Sequence, residues 1–286
     1  MRTLKGSKRY ARRRGLITLS LSGREARVPL SGRSPGPEIT QMDIHLRRLG
    51  PAHDGLKIVQ LTDIHHSLYT PLEDVERVVN LTNQLQPDLI ALTGDYVTFS
   101  PSYIGPVAQV LGKLSARLGV FAVLGNHDFQ VDADEMTRAL EAQQIRVLRN
   151  SHFALDTDHA PLWLLGVDDL WWGADDLESA VKHVPSHDPK ILLCHNPMGI
   201  RMAAKHQIDL VLSGHTHGGQ VRLPWVGALY GNPRLGRRFI QGWNRLDGTQ
   251  IYVSRGIGKV LLPLRVGCPS EITCLRLRSG AGSKAS

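Results

Sequence analysis

The sequence has only three cysteines, Cys194, Cys268 and Cys274, with no C-x-x-C pair. An odd, scattered set excludes a disulfide scaffold and a cysteine-built zinc site. It fits a reducing compartment, so a cytoplasmic location is expected. No apolar run approaches the roughly 18 residues that cross a bilayer, so no transmembrane helix is expected. Aromatic residues make up 6%, little material for stacking single-stranded bases, which sets nucleic acid low among the expected partners. No internal repeat is found. What is present suffices for a core: 42% of the 286 residues are hydrophobic and 21% charged, the range of a globular α/β chain and not of a disordered one.

The net charge of +8 is unevenly spread. Residues 1–48 hold 12 Lys/Arg against 3 Asp/Glu, residues 49–219 hold 11 against 21, and residues 220–286 hold 11 against 2. The acidic, His-rich middle suits a cation site, and the basic C-terminal segment suits an anionic substrate. The run Arg12-Arg13-Arg14-Gly15-Leu16-Ile17 loosely matches a twin-arginine export signal, but the apolar stretch after it is short and ends at Arg24. Residues 1–37 therefore read as a flexible basic arm, closed by Ser34-Pro35-Gly36-Pro37 and suited to peripheral contact with an anionic membrane. Residues 38–278 read as the folded domain and 279–286 as a disordered tail.

Within the domain, β-branched runs alternate with helical spacing. Strands are expected at 39–49, 57–62, 88–93, 120–124, 146–148, 162–166, 191–194, 210–212, 239–241, 250–254 and 272–276. Helices are expected at 71–86, 103–118, 132–144 and 175–183. Leu246-Asp247-Gly248-Thr249 reads as a hairpin turn.

Five buried strands stop at polar clusters: Asp63-Ile64-His65, Gly94-Asp95, Gly125-Asn126-His127-Asp128, His195-Asn196 and Gly214-His215-Thr216-His217. Ligands bind at the carboxyl ends of strands in open α/β sheets. Asp63 and His65, like His215 and His217, are two apart and face the same way in extended chain. With Asp95, Asn126 and His195 they make seven oxygen or nitrogen donors. One ion cannot use all seven, whereas two ions sharing a carboxylate can. The absence of thiolate favours Mn²⁺, Fe²⁺ or Zn²⁺.

This ordered set resembles the calcineurin-like metallophosphoesterase superfamily over about residues 56 to 278. Gly214-His215-Thr216-His217-Gly218-Gly219-Gln220-Val221, Tyr252-Val253-Ser254-Arg255-Gly256-Ile257-Gly258, Pro263-Leu264-Arg265 and Pro269-Ser270-Glu271-Ile272 are similar to its bacterial YkuE/YaeI-like phosphodiesterase branch. Met198 departs from that branch, where an acidic residue often follows His-Asn-Pro. The resemblance implies a four-layer α/β/β/α sandwich and a hydrolase with two divalent metal ions. Asp63, His65 and His217 hold the first ion, Asn126, His195 and His215 the second, and Asp95 bridges them. Hydroxide between ions roughly 3.5–4 Å apart then attacks phosphorus in line. His127 stabilises developing charge or protonates the leaving group, and Asp128 orients His127 and raises its basicity.

The expected substrate is a phosphodiester or pyrophosphate. One specific version, motivated by the basic arm and by Trp171 and Trp172, is a pyrophosphatase of the UDP-2,3-diacylglucosamine type in lipid A synthesis, with a lipid-linked substrate. A nuclease and a non-catalytic phosphate-binding module are the competing readings. Arg255 and Arg265 are candidates to grip a substrate phosphate. His66 is a candidate to line the cleft, and the remaining unassigned histidines read as surface or loop residues.

Overall fold

Apolar runs of four or five residues cannot face water on either side, so their strands must be covered on both faces. The protein is described by a computed structural model over residues 16–21, 24–29, 36–155, 161–223, 227–228 and 237–280. It divides into two compact units, Met1–Gly36 and Pro37–Ser286. In the first, within the stretch read as an arm, β1 (Leu16–Leu21) and β2 (Arg24–Pro29) pair as an antiparallel hairpin. Arg12, Arg13 and Arg14 lie outside the described residues.

The second unit holds β3 (Glu38–Leu46), β4 (Lys57–Leu61), α1 (Leu72–Gln84), β5 (Leu89–Thr93), α2 (Ile104–Leu111), β6 (Val120–Val123), α3 (Asn126–Glu141) and β7 (Arg146–Val147). Next come β8 (Ser151–Leu155), β9 (Leu162–Gly166), α4 (Leu177–Val181), β10 (Lys190–Leu193), α5 (Ile200–Lys205) and β11 (Leu210–Ser213). The short pair β12 (Arg222–Leu223) and β13 (Gly227–Ala228) precedes β14 (Gly242–Leu246), β15 (Thr249–Val253) and β16 (Glu271–Ser279).

Two six-stranded mixed sheets form, ordered β3-β16-β4-β5-β6-β7 and β14-β15-β11-β10-β9-β8. In the first, β4, β5, β6 and β7 run parallel while β16 opposes β4. In the second, β9, β10, β11 and β15 run parallel and the edge strands β8 and β14 are antiparallel. Side chains alternate across each strand. Ile58, Leu89 and Ala91 thus pack between the sheets against Leu164, Ile191 and Leu212, while Val59, Leu61, Ile90 and Leu92 face α1, α2 and α3. Leu165, Leu192 and Val211 face α4 and α5 on the far side. The result is the four-layer α/β/β/α sandwich that the resemblance implies.

Several boundaries differ from the sequence expectation. α2 stops at Leu111, well short of residue 118. α3 begins at Asn126, before the expected 132, because Asp128 accepts the Gly125 N–H and closes the first turn. The helix breaks at Asp132, whose carboxylate caps the second segment through Glu135 N–H at 2.8 Å. The strand expected at 239–241 is displaced by a 3₁₀ turn at Arg237–Phe239, and the strand follows at β14. The 246–249 turn does join β14 to β15. β8 and α5 were not anticipated. β16 extends to Ser279, one residue into the expected tail, and residues 281–286 lie outside the described ones. Among the described residues no helix is long and apolar enough to cross a membrane.

Candidate metal centre

Parallel strands of both sheets end on the same side, and the loops that leave β4, β5, β6, β10 and β11 carry all seven expected donors. The local geometry is not the extended one inferred from their spacing. Asp63, His65, Asp95, His215 and His217 all have left-handed backbone, with φ between 49° and 70°. Such conformations cost about 1–3 kcal/mol each in non-glycine residues and persist where surroundings over-determine them. Here the loops brace each other. Asp63 N–H donates to Gly94 O at 2.9 Å and His65 N–H to Asp95 O at 3.0 Å. His215 N–H donates to the Asp63 carboxylate at 3.0 Å. Glycine is required where these loops touch. A Cβ at Gly125 would collide with the Asp95 carboxylate, and one at Gly214 with Thr62 and Asp63.

The side chains converge in two groups. Around one, His65 Nε2 lies 3.0 Å from His217 Nε2, which is 3.3 Å from Asp63 Oδ1. Around the other, His215 Nδ1 lies 2.8 Å from Asn126 Oδ1 and 3.3 Å from His195 Nε2. Asp95 stands between them: its Oδ2 is 3.4 Å from His65 Nε2 and 3.2 Å from His195 Nε2. Donor atoms of Asp63, His65 and His217 lie within 4.8 Å of one another, as do those of Asp63, Asp95 and His195. All of these but His215 and Asn126 are buried.

Oxygen and imidazole donors facing one another at 3 Å, with lone pairs inward, suit borderline divalent cations. The far atoms of the rings are already tied. His195 Nδ1 donates to Thr93 O at 2.8 Å and His65 Nδ1 meets Thr98 Oγ1 at 3.2 Å, which turns both Nε2 atoms inward. The residues therefore fit a divalent metal centre.

Burial and proximity displace the titrations in opposite directions. Burial opposes ionisation of Asp95, but His195 and His65 outweigh it and hold its carboxyl well below the usual range. Burial also opposes charge on His195, yet Asp95 and Asp63 raise it to about 10. Desolvation, then the charge of His195, lowers His215 to about 3. Burial lowers His217 and raises Asp63.

Several expectations are corrected. Asp128 does not turn toward the His127 ring. It is fully buried and accepts N–H bonds from Asp95 at 2.8 Å, Tyr96 at 2.9 Å and Gly125 at 2.9 Å, so it shapes the Asp95 loop. The His127 ring instead uses Nδ1 on Thr98 O at 3.1 Å, while its backbone N–H holds Asp95 Oδ1 at 2.9 Å. Its pKa is lowered by burial, not raised. Arg255 is committed to Glu271 at 2.9 Å and Glu38 at 3.0 Å. Arg265 donates to the Gly258 and Arg255 carbonyls at 2.9 and 2.8 Å and packs 3.3 Å from His217 Nδ1, behind the donors. Neither arginine is among the residues that line the cleft beside the donors. His66 bonds Thr70 O at 3.0 Å and stacks edge-on to Tyr103, away from the cleft, and His53 is buried.

One contributor escaped the sequence reading. Thr98 serves both His65 and His127, and nothing but its place shortly after Asp95 marks it. Trp172 Nε1 donates to Asn126 O at 3.0 Å, and Trp171 lies 6.1 Å from His215, ring to ring. Both tryptophans are exposed at the rim.

Residues 56–219 match the family described as calcineurin-like phosphoesterase. The chain is 35% identical over 246 residues to the uncharacterized metallophosphoesterase YkuE of Bacillus subtilis, covering 85% of this chain and 86% of that protein. It is 35% identical over 228 residues to the phosphodiesterase YaeI of Escherichia coli, covering 77% and 82%. It is 32% identical over 256 residues to a transmembrane protein with metallophosphoesterase domain from Danio rerio, covering 85% of this chain and 57% of that protein.

Proposed function

The chain belongs to the calcineurin-like phosphoesterase family and is a metal-dependent phosphoester hydrolase, and from that premise we propose that it cleaves phosphodiester or pyrophosphate bonds at a two-ion centre. One observation carries the reading: seven oxygen and nitrogen donors from five loops meet in two groups that share Asp95. Asp63, His65 and His217 would hold one ion, and Asn126, His195 and His215 the other. The chemistry such ions supply is Lewis acidity, toward phosphate oxygens and toward water.

The chain's own groups do the rest. Thr93 and Thr98 fix the histidine rings so that little reorganises on binding. His127, with Nδ1–H spent on Thr98, presents Nε2 as its proton-exchanging atom and serves the leaving oxygen. The relative named phosphodiesterase YaeI favours a diester over a monoester, and so does a cleft that continues past the donors, with room for a second substituent.

The test is a screen of aryl phosphomonoester, aryl phosphodiester and nucleotide-sugar substrates with Mn²⁺, Fe²⁺ or Zn²⁺, using Asp95→Asn as the blank. Metal-dependent turnover of diester or pyrophosphate that Asp95→Asn abolishes is expected. Turnover of monoesters alone would overturn the diester assignment, and turnover independent of metal would overturn the two-ion centre.

A further inference from the structure

A cavity of about 470 Å³ opens from the donors. Its floor is the metal centre, with Asn126, His127 and His215. Its walls are apolar: Trp171 on one side and Val221, Val260, Leu261 and Leu262 on the other.

These walls are built, not incidental. Buried Gln220 grips the 260–262 strip from both ends of its amide, donating to Val260 O at 2.8 Å and Leu262 O at 3.1 Å and accepting Val260 N–H at 2.9 Å. Leu261 is left-handed, with φ 61°, and is 69% exposed. A branched, bulky residue in that conformation is strained, and strained outliers cluster at ligand sites. Opposite, buried Asp169 accepts the N–H groups of Trp171 at 2.9 Å and Trp172 at 3.2 Å, and Trp172 is pinned to Asn126. Trp171 is thus held 66% exposed beside His215.

Exposed apolar residues continue outward from the same strand ends. Leu68 follows β4 and is 88% exposed, and Phe99 follows β5 and lies 6.4 Å from His127, ring to ring. Single exposed leucines need no explanation, but several large apolar side chains exposed on the loops that also carry the donors point to a binding surface.

Among the described residues, polar recognition is missing beyond the floor. Of the two polar side chains on the walls among the described residues, Gln220 has both amide atoms engaged on its own loop, and Thr216 donates to Ile240 O at 2.6 Å. Neither is left to read the edge of a nucleobase. We propose, resting on the diester reading above, that this cleft takes a phosphodiester or pyrophosphate bearing a long alkyl or acyl chain. The phosphorus sits over the metal centre and the chain lies between Trp171 and Val260–Leu262. The exposed Leu68, Phe99 and Leu261 then face the lipid phase from which such an amphiphile comes.

The experiment uses metal-loaded full-length protein and p-nitrophenyl alkyl phosphodiesters from methyl to dodecyl, kept below micelle-forming concentration. Thymidine 5′-p-nitrophenyl phosphate is the nucleoside comparison. In parallel, binding of dodecylphosphonate and methylphosphonate is read by tryptophan fluorescence and calorimetry, which need no turnover. Affinity and kcat/KM are expected to rise with chain length, by up to about fourfold for each methylene buried. Leu261→Asn keeps a residue that tolerates left-handed backbone and removes the apolar surface. It is expected to flatten the chain-length dependence, as is Trp171→Gln. Equal handling of methyl and dodecyl compounds, or preference for the nucleoside diester, overturns the proposal. Failure of every diester, methyl included, with the phosphonate preference intact overturns the diesterase reading and supports the apolar-chain cleft.

Discussion

In the mechanism proposed above, Nε2 is the His127 atom open to proton exchange with a substrate, because Nδ1–H is held by the Thr98 carbonyl at 3.1 Å. Burial lowers its pKa, so a proton placed on Nε2 is readily given up. His127→Ala is expected to lower kcat by about 10²–10⁴-fold for an alkoxide leaving group. For p-nitrophenolate, which leaves without a proton, the loss is expected to be smaller. Metal content, read by elemental analysis, stays unchanged. An equal loss for both leaving groups would remove the proton-donor role. At this scale the candidate ligands were legible, because carboxylate, amide and imidazole at successive strand ends have few other reasons to recur. The partners of Asp128, Arg255 and Arg265 were not. A carboxylate or guanidinium serves equally at a substrate, a cap or an ion pair, and only its direction distinguishes them.

The third helix shows the same division among elements. Its amphipathic half was read from residue 132 onward, where Asp132 does cap a segment through Glu135 N–H. The preceding turn, from Asn126, is helical because Asp128 closes it and the β6 loop delivers it. Asp132→Ala is expected to cost about 1 kcal/mol, the usual value for a lost N-cap. In a unit of this size that lowers the melting temperature by about 2–4 °C, measurable by calorimetry. A change below half a degree would show that tertiary packing alone sets the break. The first helical turn and α5, of six residues, are too short for apolar periodicity to register. The half-buried edge strand β8 shows no clean alternation. Fully covered strands such as β5 and β11 were legible because burial on both faces leaves an unbroken apolar run.

Across the whole molecule, Glu271 ties the two sheets. It stands at the start of β16 in one sheet, accepts the Tyr252 hydroxyl from the other at 2.6 Å, and accepts the backbone and side chain of Arg255 at 3.0 and 2.9 Å. Burial opposes its charge, but Tyr252 and Arg255 outweigh burial and hold its pKa below the ordinary 4.5. A folded-state pKa lower than the unfolded one contributes stability that is fully present above the unfolded value and is lost as pH falls through the folded one. Denaturant midpoints are therefore expected to drop below about pH 4.5, with a shallower drop in Glu271→Gln. At pH 7 that variant is expected to lose about 1.5–3 kcal/mol, the worth of hydrogen bonds to a charged group. Identical pH profiles would refute the pin. The order of apolar runs and the ligand types at their ends lie in the sequence alone, since backbone periodicity and donor chemistry are local properties. Which strands are neighbours, how left-handed turns aim Asp63, His65 and His217 inward, and which apolar loops wall the cleft are decided only by the packing of two sheets. Those relations join residues more than 150 positions apart, where no local pattern can specify distance or direction.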